Sequence, residues 1–312
     1  RTCDYRSWMK RGWCRMELVC ACFARVALPV VVCIGPEAPL HFHEFASGMS
    51  VAVGLGNFTC CQLRHEIDGK LVPCDKHVLG KVLLHLFQAA ADHAYVNEQA
   101  DWARFVIASL PHHLQGLPTE TDSLLAMPWL EDLGSFRAVL RWQGPLADVP
   151  TRRCGISTRS GWTLLHFAAW AGSAALVREI LLQEGSVSVN ATAQGIAWMR
   201  HSRLSPLFCA VFGGVDGTFG VGEMLLQARA DPRCSITSLP GLDLLSGALI
   251  FGSGHHVRGV VAGANRSVNQ RLAFVGHAPL AVALHLRDDA DLLWPTLLSL
   301  RADVHARDGL HG

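Results

Sequence analysis

The sequence predicts a mainly α-helical solenoid, in which each unit is a β-turn plus two antiparallel helices, joined to an N-terminal truncated α/β domain. One helix-pair pattern recurs through the C-terminal half, whereas helical and strand-like segments alternate without a repeat in residues 1–117. Composition agrees with a folded chain, because 50% of the 312 residues are apolar and only 17% are charged.

Four segments of the C-terminal half share the recurring pattern. They begin at Thr163, Ser205, Asp243 and Ala278, at intervals of 42, 38 and 35 residues (163 to 205, 205 to 243, 243 to 278). In each, a turn leads into a short helix with small Ala residues, and a second helix carries apolar residues at i, i+3 and i+4. Stacked units can bury an apolar face that a single unit cannot. We therefore predict about four degenerate repeats over residues 156–312, with a fifth cut off after Asp308-Gly309.

The first segment, from Gly161 to Ala169, has the sequence Gly-Trp-Thr-Leu-Leu-His-Phe-Ala-Ala. It resembles the Thr-Pro-Leu-His-x-Ala signature of the ankyrin repeat, with Leu164 in place of Pro. The resemblance implies a β-turn plus two antiparallel helices per repeat. It also implies that Thr163 and His166 hydrogen-bond within the turn and connect repeats, and that they have no catalytic role.

The second helices of the four segments supply the predicted core. Its paired apolar residues are Leu181, Leu182, Leu225, Leu226, Val260, Val261, Leu297 and Leu298. A Gly-Ala-Asp-like sequence closes each unit, and Gly suits the left-handed cap at the end of a helix. Arg229 and Arg301 replace that cap Gly in two units.

The repeat pattern also predicts a binding surface, because ankyrin-like solenoids present a concave face of hairpin tips and first helices. The variable positions of the first helices are Trp170, Phe212, Ile250 and His285. Three of these are large and apolar, which favours a stripe that binds a protein partner. Trp198 and Arg200, in the long tip between residues 191 and 203, would add contacts at its rim. The alternative is a stripe that is half-buried or covered by a hairpin tip.

The N-terminal segment has a different pattern. Residues 7–24 fit a helix, residues 27–34 and 50–55 fit strands, and another helix begins at Asp75. Alternation of helices and strands predicts an α/β sandwich with a parallel sheet.

Part of this segment resembles a TIR-type signalling domain. The resemblance is carried by Trp13-Cys14-Arg-Met-Glu17-Leu18, followed by Leu28-Pro29-Val30-Val31. In family members that cleave NAD, the Glu of this helix is catalytic, so the resemblance would give that role to Glu17, supported by Trp13 and Cys14. The resemblance implies that the opening strands of such a domain would precede residue 1. The alternative is an amphipathic helix with Trp13 and Cys14 in the core and Arg15 and Glu17 facing solvent.

Residues 118–155 connect the two halves. The stretch from Leu117 to Ser123 is polar and fits a linker, and residues 133–140 fit an apolar helix. We predict that residues 123–155 form a degenerate capping repeat that shields the first apolar face of the array.

Charge and cysteine patterns exclude several classes of protein. Lys plus Arg is 27 and Asp plus Glu is 26, a balance that argues against nucleic-acid binding. The apolar run Val26–Ile34 is far shorter than the ~20 residues of a membrane span. Eleven Cys occur without a CxxC pair, and Cys60-Cys61 is too closely spaced for the usual zinc motifs. We expect reduced thiols in a cytoplasmic protein, with no metal or cofactor.

These observations predict a protein–protein interaction scaffold or adaptor, with a partner on the concave face of the array and no catalysis in this fragment. The alternative is a TIR-like NAD-cleaving enzyme in the full-length parent, in which the array senses or localises. The sequence does not identify the partner.

Overall fold

The structure is a computed structural model of the chain. It describes residues 7–8, 10–23, 30–32, 41–43, 51–118, 127–142, 160–183, 188–196, 203–213, 219–233, 243–250, 254–264, 267–272, 278–286 and 290–305. The chain divides into two compact units, Arg1–Pro128 and Trp129–Gly312. Within the described ranges, no helix is both long enough and apolar enough to span a bilayer.

The first unit is mainly helical. Its helices are α1 (Gly12–Phe23), α2 (Thr59–Gln62), α3 (Asp75–Val96) and α4 (Ala100–His113), and its hairpins are β1 (Val30–Val32) with β2 (His41–His43) and β3 (Glu66–Ile67) with β4 (Lys70–Leu71). Helices α3 and α4 pack along each other, and α1 packs against α3. The core includes Phe23, whose ring centroid lies 4.3 Å from that of Phe87 and 5.8 Å from that of His113.

The parallel sheet predicted for this unit is wrong for the residues that the structure describes. β1 and β2 are antiparallel, with Val31 opposite Phe42. The strand predicted over residues 50–55 gives way to a 3-10 turn, Val53–Leu55. A Cβ on Gly54 would lie 2.3 Å from the Gln115 carbonyl oxygen, so the turn packs directly against backbone. Gly54 therefore packs against the backbone of residues 115–117 instead of pairing with a strand, and only Gly fits at this position.

The second unit is a two-layered stack of helix pairs. Its helices are α5 (Leu133–Val139), α6 (Leu164–Ala171), α7 (Ala174–Gln183), α8 (Pro206–Phe212), α9 (Phe219–Gln227), α10 (Leu244–Ile250), α11 (Gly254–Ala264), α12 (Pro279–Leu286) and α13 (Ala290–Ser299), and its one described hairpin is β5 (Ala193–Gln194) with β6 (Arg203–Leu204). Helices α6, α8, α10 and α12 stack in order as one layer, and α7, α9, α11 and α13 stack as the other. α5, within the predicted capping segment, packs against α7.

Local capping chemistry explains why the first helices begin where the sequence pattern places them. The Thr163 hydroxyl accepts a hydrogen bond from the His166 amide at 3.4 Å, and the Ser205 hydroxyl accepts one from the Phe208 amide at 3.3 Å. Asp243 does the same for the Ser246 amide at 2.9 Å. Each side chain satisfies an amide that the first turn of a helix leaves without a partner.

The predicted core of the second helices is confirmed at one position in three of the four pairs, and Leu181, Leu226 and Val261 are half-buried. Leu225, Val260 and Leu297 are buried, whereas Leu182 is 78% exposed and Leu298 is 40% exposed. Successive residues of a helix point about 100° apart, so two adjacent residues cannot both face the same narrow stripe.

Two asparagines bridge neighbouring repeats in the same way. The Asn190 side chain donates to the Arg229 carbonyl at 3.1 Å and accepts from the Asp231 amide at 2.7 Å. Asn269 makes the equivalent bonds, at 2.9 Å and 2.7 Å, to the Arg301 carbonyl and the Asp303 amide. The recurrence of this bridge one repeat pair later shows that the array is built on a common register.

Arg229 and Arg301 adopt the left-handed backbone predicted for their cap positions, with φ of 68° and 63°. Left-handed backbone costs a residue with a Cβ about 1 kcal/mol more than it costs Gly. We therefore expect Arg229→Gly to raise the free energy of unfolding by about 1 kcal/mol. Arg258→Gly is the matched control, since this exposed Arg lies within α11 and its replacement should destabilise by a similar amount. Urea denaturation of both variants checks the prediction. A change in unfolding free energy of the same sign in both variants would contradict it.

Candidate functional site

The β5–β6 hairpin projects from the junction of the first two repeats and is held firmly at its base. The Trp162 indole donates to the Gln194 carbonyl at 2.8 Å, and the Gln194 amide donates to the Ser160 carbonyl at 2.7 Å. On the other strand, the His166 imidazole reaches the Leu204 carbonyl at 3.2 Å. Both strands are therefore fixed to the helix pair below them.

The polar residues of the signature segment serve this anchoring. The Thr163 amide donates to His166 Nδ1 at 3.2 Å, which leaves Nε2 as the protonated nitrogen that donates to Leu204. Burial lowers the pKa of His166 to about 4, although the carbonyls of Leu204 and Ala191 oppose the shift. A buried, neutral and doubly hydrogen-bonded imidazole is structural, as the resemblance implied.

Two residues of the predicted apolar stripe, Trp170 and Phe212, are buried. Trp170 is 3% exposed and Phe212 is 6% exposed, which agrees with the alternative of a covered stripe at these two positions. The Trp170 ring lies edge-on to Trp162 at 6.2 Å. A Cβ on Gly247 would lie 3.2 Å from the Phe212 ring, so α10 comes close enough to cover it. Gly247 thus lets two neighbouring first helices of the same layer pack closely over the Phe212 ring.

The other four predicted contact residues are positioned only in part. Ile250 ends α10 and His285 lies in the last turn of α12, at places equivalent to Trp170 and Phe212 in their helices. The side chains of Ile250 and His285 lie outside the described part of the structure. Trp198 and Arg200 also lie outside the described residues, between the two anchored strands of the hairpin.

Glu17 lies on the exposed side of α1, as the amphipathic-helix alternative predicts, and Cys14 is buried. Trp13 departs from that alternative, because it is 47% exposed. Its indole donates to the Asp75 carboxylate at 2.9 Å, so the ring lies across the start of α3. The Arg15 guanidinium donates to the Ala52 carbonyl at 2.9 Å.

A cluster of sulfur and nitrogen ligands in the first unit was missed at the sequence level. The side-chain ligand atoms of Cys60, Cys61, His65 and Cys74 all lie within 4.8 Å of one another. Desolvation, followed by hydrogen bonds with Cys74 and Cys60, raises the pKa of Cys61 to about 11. The spacing Cys-Cys-x3-His-x8-Cys matches no usual zinc motif, so only the folded hairpin between His65 and Cys74 reveals it.

Comparison with known proteins supports the repeat assignment at one segment. The sequence model of the family described as "Ankyrin repeat" matches residues 160–194, which include the signature segment, α6, α7 and β5. No curated protein matches the chain. Among solved structures, the chain is similar to the ankyrin repeat domain of Bcl-3, titled a unique member of the IkappaB protein family. The identity is 16% and the TM-score is 0.39, over 77% of this chain and 91% of that chain.

Residues 160–194 thus match the ankyrin-repeat model, and the described part of the chain is mainly helical. Ankyrin repeats point to a role in protein–protein interaction. The family match does not extend to residues 7–35, where the resemblance to TIR-type domains stays a prediction.

Proposed function

We propose that this chain is a cytoplasmic scaffold or adaptor that binds a protein partner and has no catalytic role in this region. The observation that carries the proposal is the anchored ankyrin repeat at residues 160–194. Its polar signature groups, Thr163 and His166, are used up in holding the hairpin base, so they are not available for chemistry.

The tip of the β5–β6 hairpin is the part of this repeat best suited to a partner. The two strands that flank it in sequence are held to the helix pair by hydrogen bonds from Trp162, His166 and the Gln194 amide. Trp198 and Arg200 belong to the residue types that dominate binding energy at protein interfaces. Ile250 and His285 remain candidate contacts of the predicted stripe.

A photo-crosslinking residue at position 198 of the 312-residue chain tests this surface. The matched control carries the same residue at Leu182, which is exposed on the second helix of the same repeat. We expect a protein to crosslink at position 198 and not at position 182. The captured protein is then purified, and its affinity for the chain is measured directly.

The Trp198→Ala, Arg200→Ala double variant should weaken that affinity by at least about tenfold, since removal of a hot-spot residue costs about 2 kcal/mol or more. Its melting temperature should stay unchanged. Trp170 and Phe212 are kept intact, because loss of a buried aromatic ring costs about 3–5 kcal/mol of stability and would confuse binding with folding. Equal crosslinking at both positions, or an unchanged affinity, would reject the proposed surface.

The alternative function, NAD cleavage by a TIR-like enzyme in the parent protein, makes a different prediction. It requires NAD consumption that disappears in Glu17→Gln and persists in Glu66→Gln, a variant of another exposed carboxylate in the same unit. Consumption that is absent, or equal in both variants, argues against this alternative.

A further inference from the structure

We propose that Cys60, Cys61, His65 and Cys74 form a structural zinc site in the first unit. These residues offer three thiol sulfurs and one imidazole nitrogen within 4.8 Å of one another. Cys3His is one of the ligand sets that hold structural zinc in proteins. Because the protein supplies all four ligands, no position remains for a substrate or an activated water.

The sulfur spacing fits a tetrahedral zinc ion. With Zn–S bonds of about 2.3 Å, two sulfurs of a tetrahedral site lie about 3.8 Å apart. Cys61 Sγ lies 3.6 Å from Cys74 Sγ and 4.0 Å from Cys60 Sγ, on either side of that value. The side chains therefore need little rearrangement to accept the ion.

Local structure brings the ligands together from 15 residues of sequence (60 to 74). Cys60 and Cys61 lie in α2, His65 directly precedes β3, and Cys74 follows β4 as the cap of α3. The Val72 amide donates to the His65 carbonyl at 2.9 Å and so closes the base of the hairpin. Closing the hairpin in this way brings Cys74 close to His65.

The backbone at His65 is held in an unusual conformation. Arg64 and His65 both have left-handed backbone, with φ of 53° and 61°. Two successive non-glycine residues in this region are disfavoured, and such strain persists where other bonds hold it in place. A zinc–imidazole bond would provide that support. His65 Nε2 is also buried and, among the residues that the structure describes, has no hydrogen-bond partner.

The surroundings also favour the charge of the site. Three thiolates and Zn²⁺ carry a net charge of about −1. That charge would lie at the N-terminus of α3, a helix of 22 residues, where the helix dipole favours a negative group. The Asp75 amide donates to Cys60 Sγ at 3.5 Å, and such a hydrogen bond stabilises a thiolate that binds a metal ion.

The test uses the full 312-residue chain, purified under reducing conditions and analysed for zinc by mass spectrometry. We expect about one zinc per chain, a lower melting temperature after chelation, and recovery when zinc is restored. Co²⁺ should give the intense visible absorption of a tetrahedral site with thiolate ligands.

Variants separate this site from nonspecific thiol binding. Cys61→Ser and His65→Gln should weaken zinc binding by at least about tenfold. Cys20→Ser and His77→Gln alter a thiol and an imidazole outside the cluster and should bind as the wild type does. His65→Cys keeps four ligands, so it should bind zinc more tightly than His65→Gln does. That difference would show that His65→Gln loses a ligand rather than its fold.

Three results would overturn the proposal: no zinc in the purified chain with no Co²⁺ spectrum on titration, zinc affinity that is unaffected in Cys61→Ser, or a Cys61–Cys74 disulfide that persists under reducing conditions. These outcomes are independent of partner binding at the hairpin, because the cluster and the hairpin lie in different units.

Discussion

Gly213→Ala is expected to lower the free energy of unfolding by about 2–3 kcal/mol, because a methyl group has no room there. A Cβ on Gly213 would lie 2.3 Å from the Trp170 carbonyl oxygen and 3.0 Å from the Cys209 carbonyl oxygen. Both obstacles are backbone atoms, so no side chain can rotate away. Relief would require α6 and α8 to separate.

Conformational strain does not complicate this prediction. Gly213 has φ of −60° and ψ of −22°, which Ala adopts readily. The effect is therefore steric, and it reports how closely successive first helices approach. Because the Trp170 backbone makes this contact, we also expect the burial of the Trp170 ring to decrease, which acrylamide quenching of tryptophan fluorescence would detect.

Gly259→Ala provides the matched control. Gly259 lies within α11, and the nearest atom to its added methyl group would be Leu226 Cδ1 at 3.7 Å, an ordinary contact distance. Ala is favoured over Gly inside a helix by about 1 kcal/mol, so this variant should be more stable than the wild type. Similar urea midpoints for both variants would show that the helices can separate at little cost.

Sequence predicts well what is decided locally. Thr163 and Ser205 mark the starts of first helices because a hydroxyl caps the amide three residues further on, within one turn. Arg229 was recognised as a cap for a similar reason, since the end of the second helix requires left-handed backbone whichever residue occupies it.

Features that depend on distances between helices and strands cannot be predicted from local sequence. Trp170 is of a residue type that is common at binding sites, but it is buried by the packing of neighbouring elements, and Gly213 lies directly against its backbone. The cysteine cluster is similar, because the eight residues between His65 and Cys74 form a hairpin whose folding brings the two ligands together. The spacing in sequence therefore gives no sign of the spacing between their atoms.

Acidification is expected to destabilise the repeat unit, and His166 should account for much of the loss. Burial lowers the pKa of this imidazole from 6.5 to about 4 in the folded state. Between these two values the unfolded chain binds a proton at this site and the folded chain does not. The contribution of His166 to the free energy of unfolding is therefore fully present above pH 6.5. It falls as the pH drops towards 4, by about 1.4 kcal/mol per pH unit. Over the whole window the loss is roughly 3 kcal/mol.

The geometry around His166 explains why the folded state resists protonation. Nδ1 accepts a hydrogen bond from the Thr163 amide at 3.2 Å, and the second proton of the ring would go to this nitrogen and break the bond. The charge would also lie in an interior beside the Trp162 ring, 5.6 Å away, without water to solvate it. Protonation thus opposes the contacts that hold the base of the hairpin.

Urea denaturation between pH 4.5 and 7.5 measures this effect, and His166→Gln isolates it. Gln can keep both a donor and an acceptor in the site but does not titrate, so its unfolding free energy should depend less on pH by about one proton. His305→Gln, at an exposed position of the same unit, should keep the wild-type slope. Parallel curves for wild type and His166→Gln would mean that the pKa of His166 is the same in the folded and unfolded chain, so that the folded site takes up a proton as readily as the unfolded one. That result would contradict the hydrogen bond from the Thr163 amide to Nδ1, which contributes to the capping of α6.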